Sequence, residues 1–159
     1  MHVGITGHQN LGQRCAELVR VEIERRLDAI DHPFVGLTSL AAGADQIFAA
    51  AVLQAGGQLS VILPSDQIEL SFQDPADAAR FHDLVARAKE IVRMPFSEPC
   101  EDAYWAAGKA IAERSDLVLA VWDGRPAGGL GGTADVVKYA RERGTTVAVI
   151  WPDGCARSG

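Results

Sequence analysis

Short apolar runs alternate with helix-length segments along this chain, and that alternation limits its possible folds more than any other feature. Runs of strand length stand at residues 2–6, 34–38, 59–63, 91–94, 117–122 and 146–151. Between them lie segments with apolar residues at helical spacing, at 11–30, 44–55, 76–90 and 101–114, with another after Thr133 that Gly144 is placed to stop. Strand and helix in alternation read as βαβ units, which build a parallel sheet covered by helices on both faces. Residues 117–122, Leu-Val-Leu-Ala-Val-Trp, are apolar without a break, the pattern of a strand buried on both faces. The expectation is one α/β three-layer domain over residues 1–154 with a mostly parallel sheet, then a loose tail at 155–159. Pro33, Gly56-Gly57 and Pro64 punctuate the elements, and the polar stretch 65–75 reads as an irregular flap.

Sheets of this kind bind ligands beyond the carboxyl ends of their strands. The turns expected there are Gly7-His8-Gln9-Asn10, Ser39 to Asp45, Pro64 to Asp66, and Asp123 to Thr133. Most of the glycines and small hydroxyls outside the regular elements fall in these four turns. The last is the richest, running Ala127-Gly128-Gly129-Leu130-Gly131-Gly132-Thr133 into a helix start. Glycines let the backbone approach a ligand closely, and the free N–H groups and dipole of a helix N-terminus favour an anion. This is a cradle for phosphate. No G-x-x-x-x-G-K-[ST] occurs, so it is not a P-loop. Gly129 to Ala134 fits a loose G-x-G-x-x-A with Asp153 after the next strand, but the glycines begin several residues late for a dinucleotide fingerprint. A plain glycine-rich surface loop is the remaining reading.

Each candidate residue has a structural alternative. Ser39 with Gly43, Ala44 and Asp45 can hold a ligand oxygen, or can simply cap a helix. Asp45 suits a ribose hydroxyl or a backbone amide equally. His8 can bond a ligand or a neighbouring loop. It has no second His or Cys at ligand spacing, so no metal site is expected, and no cofactor is called for. Asp123 fits a sugar or base contact, or a brace for the glycine loop. Tyr104 and Trp105 start a helix aimed at the same rim, where one can stack on a base or both can pack. Asp135, just inside the last helix, is the acid nearest the glycines. With Asp45 it is a candidate for the single carboxyl that cleavage of an N-glycosidic bond would need.

The net charge of −6, with no block of Lys or Arg, argues against DNA or RNA as the main partner. Cys15, Cys100 and Cys155 are far apart and in no metal or redox spacing, which reads as free thiols in a reducing cytoplasm. The chain opens on a strand, and no apolar run approaches the ~20 residues of a membrane span, so neither a signal peptide nor a membrane partner is expected.

Several segments together resemble the SLOG superfamily, the Rossmann-like group that includes the DprA, YpsA and LOG proteins and the sensor domains of TRPM channels. They are Gly4-Ile5-Thr6-Gly7-His8, Thr38-Ser39-Leu40-Ala41-Ala42-Gly43-Ala44-Asp45, Leu63-Pro64, Tyr104 with Gly108, Ser115-Asp116, Trp122-Asp123-Gly124 and Gly131-Gly132-Thr133-Ala134-Asp135. The resemblance implies a Rossmann-like fold, self-association through helices, and a nucleotide or nucleotide-derived ligand, often ADP-ribose-like, at the strand ends. It leaves open whether the ligand is sensed or cleaved. LOG-type phosphoribohydrolases carry Pro-Gly-Gly-x-Gly-Thr-x-x-Glu. Here Val136 stands at the glutamate position, Asp135 lies one residue early, and Leu130 replaces the proline. Two readings follow. In one the protein binds or senses the ligand, with Gly131, Gly132, Thr133, Ser39 and Gly43 on phosphate and Asp123 and His8 on sugar or base. In the other it is an N-glycosyl hydrolase of a nucleotide.

Overall fold

Val3 and Ile5 sit on one face of the first strand and are essentially solvent-free, which places that strand in the middle of the molecule. The structure, a computed structural model, describes residues 1–126 and 130–155. Its strands are β1 (His2–Gly7), β2 (Val35–Thr38), β3 (Gln58–Leu63), β4 (Glu90–Arg93), β5 (Leu117–Val121) and β6 (Thr146–Ile150). Its helices are α1 (Gln13–Asp28), α2 (Ala44–Gln54), α3 (Pro75–Ala86), α4 (Glu101–Arg114) and α5 (Thr133–Glu142). The strands form a single sheet in the order β4-β3-β2-β1-β5-β6. Every pairing in it is parallel. The sheet is flanked by helices in a three-layer, Rossmann-like α/β arrangement.

Residues 118–121 in β5 are fully buried, as an unbroken apolar strand requires when both faces are covered. The edge strands differ: Ile91 on β4 and Val149 on β6 are exposed. The larger core joins α1, α2 and α3 to the sheet, with Val19, Ile23, Phe48, Val52, Phe81 and Leu84 from the helices meeting Val3, Ile5, Leu59 and Val61 from the strands. On the opposite face, α4 closes over Leu37 and Ile62 with Ala107 and Ile111. Beside it, Ala140 of α5 packs with Ala112 and Val118. Sequence order runs outward from β1 in both directions, so β1 and β5 flank the point where the winding reverses, the place where such sheets open a crevice.

Several boundaries move from the sequence reading. The third helix stops at Ala86 instead of 90, because Glu90 already pairs beside Ser60 in the sheet. The stretch expected to be an irregular flap holds a 3-10 turn, Ile68–Ser71, and buries Ile68 and Ser65. The reading of the cysteines is overturned. Cys15 and Cys155 form a disulfide, with Cα atoms 4.7 Å apart across 140 residues of sequence, and Cys100 is the free, exposed thiol. Residue 155 is therefore tied to α1 instead of starting a loose tail; residues 156–159 lie outside the described residues. Among the described residues, no helix is long and apolar enough to cross a membrane.

Candidate functional site

At the end of β1 the chain must turn away from the sheet while α2 comes in over it. Gly7 permits this, since a Cβ there would lie 2.5 Å from the Ala44 Cβ. Ala44 N–H in turn donates to His8 O at 3.2 Å. Gly43 has φ of +80°, and a Cβ on it would press into the His8 carbonyl at 2.7 Å. Only glycine suits that backbone and that approach. The two turns are thus locked together, and beside them opens a cleft of about 420 Å³ over the C-terminal ends of the strands. Residues 5–10 line it, with Ser39, Ala41 and Asp45 on one side, Glu101, Tyr104, Gly108 and Ile111 from α4, and Leu130 to Thr133, Ala134 and Val136 from the start of α5.

The sequence candidates divide on this geometry. Gly7, His8, Asn10, Ser39, Asp45, Tyr104, Gly131, Gly132 and Thr133 meet in the cleft. Gly43, Ala44, Pro64, Asp123 and Asp135 are not among its lining residues. Gly43 and Ala44 join the first turn to α2, as above, and Pro64 is buried at the end of β3. Residues 127–129, part of the predicted glycine loop, lie outside the described residues.

The glycine loop lands on α5 with Gly131 at φ +81°, where a Cβ would meet the Trp105 backbone nitrogen at 2.8 Å. Trp105 is therefore a floor for the loop. Its ring stands edge-on to Tyr139, with centroids 5.7 Å apart. Asp135 Oδ2 accepts from Gly131 N–H at 3.0 Å, closing the loop onto the helix. Its carboxylate is committed to that clamp. Asp123 is a brace as well: Oδ1 accepts from Arg125 N–H at 2.9 Å, and its own N–H donates to His8 Nε2 at 3.2 Å. Trp151 meets the His8 ring edge-on, with centroids 5.4 Å apart. By helix geometry the amides of Thr133 and Ala134, the first two of α5, have no acceptor within the helix, and these residues wall the cleft at the positive end of the dipole.

Among the described residues, Asp45 is the one buried carboxyl lining the cleft, with 7 % of its surface exposed. It accepts from Ala41 N–H at 3.3 Å. Burial pushes its pKa up to about 7, against the pull of the Ala41 and Ser39 amides. Tyr104 is raised too, first by burial; a hydrogen bond with Ser71 opposes this, and the nearby Asp45 and Cys100 charges add to it. Among the described residues lining the cleft there is no Lys or Arg. The cleft is thus bipolar. Amide donors at the α5 end suit an anion, and Asp45, Glu101 and the Tyr104 phenol suit hydroxyl or amine donors elsewhere.

Two features escaped the sequence. Leu40, fully buried between Ser39 and Ala41, has φ of +59°, the left-handed region that a branched residue seldom enters. Such strain gathers at functional sites when the surroundings enforce it, and no local residue preference announces it. Glu101 was the other, legible only as an acid in a helix first turn.

No protein-family model matches this chain, and no curated protein matches it. Solved structures do. The chain is similar to DNA processing protein A (DprA) from Streptococcus pneumoniae, with a TM-score of 0.71 and 20 % identity over 96 % of this chain and 50 % of that one. For DprA from Helicobacter pylori, which binds single-stranded DNA, the TM-score is 0.67 at 17 % identity, over 94 % of this chain and 64 % of that one. For the molybdenum cofactor binding protein from Rippkaea orientalis the values are 0.55 and 19 %, over 96 % and 77 %. The chain has a SLOG-type fold. At these identities the likeness is one of fold, and this chain spans half of the first DprA and about two-thirds of the second. The DprA likeness also gives no support to excluding nucleic acid on net charge alone.

Proposed function

We propose that the cleft binds a nucleotide or nucleotide-derived small molecule. The ligand's phosphate sits on the amides of Gly132, Thr133 and Ala134, and its sugar or base turns toward Asp45, Tyr104 and His8. The observation that carries this reading is the N-terminus of α5 walling a cleft at the switch point of a parallel sheet, with Gly131 docked on Trp105 to hold the loop in place. Backbone amides at a helix start select a compact anion without any basic side chain. That suits a small ligand better than a DNA strand, whose affinity comes from several phosphate-neutralising Lys and Arg residues. The test is a thermal-shift and calorimetric screen of ADP-ribose, NAD and nucleoside 5′-monophosphates, with a single-stranded oligonucleotide alongside. A small-molecule hit that Gly132→Asp abolishes is the expected result. Binding of the oligonucleotide alone would refute the reading.

A second reading, hydrolysis of an N-glycosidic bond in such a ligand, has one observation in its favour. Asp45 is a buried carboxyl in the cleft with a pKa about 7, able to hold a proton for a leaving base or take one from water near neutrality. Incubating each hit and identifying free base and sugar phosphate tests it, and Asp45→Asn should then stop turnover while leaving binding.

A further inference from the structure

Asp123, at the mouth of the glycine loop, is held from β1 by His8, and His8 is held from behind by the end of the chain. His8 Nε2 takes the Asp123 N–H at 3.2 Å, and Trp151 lies edge-on against the His8 ring. After Trp151 the chain turns sharply. Cys155 N–H donates to Pro152 O at 3.1 Å, Gly154 lies against Arg14 and Leu18 at φ +97°, and Cys155 closes onto Cys15 in the first turn of α1. Residues 151–155 thus form a strap from β6 to α1, packed on a residue that lines the cleft. Cys15 is buried, with 3 % exposed, while Cys155 is only partly buried, which makes it the more accessible half of the bond.

We propose that the Cys15–Cys155 disulfide is a redox switch on the cleft. This rests on the binding reading above for its consequence, but not for its mechanism. A thiolate of a dithiol reductant attacks Cys155 Sγ, and the S–S bond breaks with its electron pair on Cys15 Sγ, which takes up a proton. The reductant's second thiol then resolves the mixed disulfide, leaving two protein thiols and one oxidised reductant, a transfer of two electrons and two protons. Once cut, the strap is no longer covalently held on α1. Trp151 loses its fixed place on His8, and His8, which lines the cleft, loses its hold on Asp123. The oxidised protein is the binding-competent one.

The experiment uses the full chain purified without reductant. One alkylatable thiol, Cys100, is expected before reduction and three after it. Without any ligand, the Asp123 and His8 amide resonances should shift on reduction, and the melting temperature should fall by about 10 °C, since the cross-link closes a very long loop. ADP-ribose, as probe, should bind about tenfold more weakly to the reduced protein. Trp151→Leu in the oxidised protein should reproduce the Asp123 shift, which keeps the test open if Cys155→Ser folds poorly. Cys100→Ser should change only the thiol count. Three alkylatable thiols before reduction would overturn the proposal. So would a lower melting temperature with an unmoved Asp123 resonance, the signature of a mere staple. ADP-ribose failing to bind in either state, with the Asp123 shift present, would overturn the binding reading and uphold the switch.

Discussion

Two junctions wall the cleft, one from β2 to α2 and the other from β5 to α5, and both place an aspartate in the first turn of the following helix. Each aspartate accepts from the backbone N–H four residues before it. Asp45 takes Ala41 at 3.3 Å, and Asp135 takes Gly131 at 3.0 Å. The chemistry is the same and the outcome is not. The β2–α2 junction is short and sealed, with Ser39, Leu40 and Ala41 buried, so Asp45 is desolvated and its carboxyl also lines the cleft. In the β5–α5 junction Leu130 is exposed, and Asp135 closes Gly131 onto the helix. Burial, more than residue type or hydrogen bonding, separates a carboxyl with chemistry from one that is a clamp.

The comparison can be broken at four places. The largest effect is expected from Gly43→Ala, which combines a disallowed backbone with a clash against the first turn, and should cost about 4 kcal/mol in chemical denaturation. Next comes pH. The folded Asp45 holds its proton to about pH 7, whereas the unfolded chain releases it near the ordinary aspartate value of 3.8. The folded state therefore binds more protons between those values, and Asp45 erodes stability as pH rises through that window. Asp45→Asn should remove this slope, so that its stability relative to wild type rises by up to about 4 kcal/mol from pH 4 to pH 8, read as the difference between the two stability–pH curves. A difference that stays flat with pH would mean that Asp45 is not desolvated. Asp135→Ala, which removes the clamp on Gly131, should cost about 1 kcal/mol. The smallest effect is expected from Glu101→Gln, at an exposed helix start, within about 0.5 kcal/mol in stability but with altered ligand preference in the screen.

This contrast also marks what the sequence could disclose. The alternation of strands and helices and the buried nature of residues 118–121 were legible, because periodicity and unbroken apolar runs are local. So were the turns at the strand ends, since glycine and small hydroxyls mark them. Which aspartate faces the cleft was not legible. Asp45, Asp123 and Asp135 all stand at strand ends or helix starts, and only packing of the neighbouring junction tells them apart. The positive φ of Leu40 is imposed by its surroundings and has no glycine to announce it. The disulfide was missed for the same reason, because its two cysteines meet only once β6 is laid beside β5 and α1 is folded across the sheet.

The most direct test of the central claim is a titration of uniformly 15N-labelled protein with ADP-ribose and with a nucleoside 5′-monophosphate, following the backbone amides. Saturable shifts concentrated at Gly131, Gly132, Thr133 and Ala134, with smaller ones at Asp45 and Tyr104, and lost in Gly132→Asp, are the predicted result. If neither compound moves the α5 amides, or if the shifts gather away from the cleft and survive Gly132→Asp, the cleft is not the nucleotide site described here.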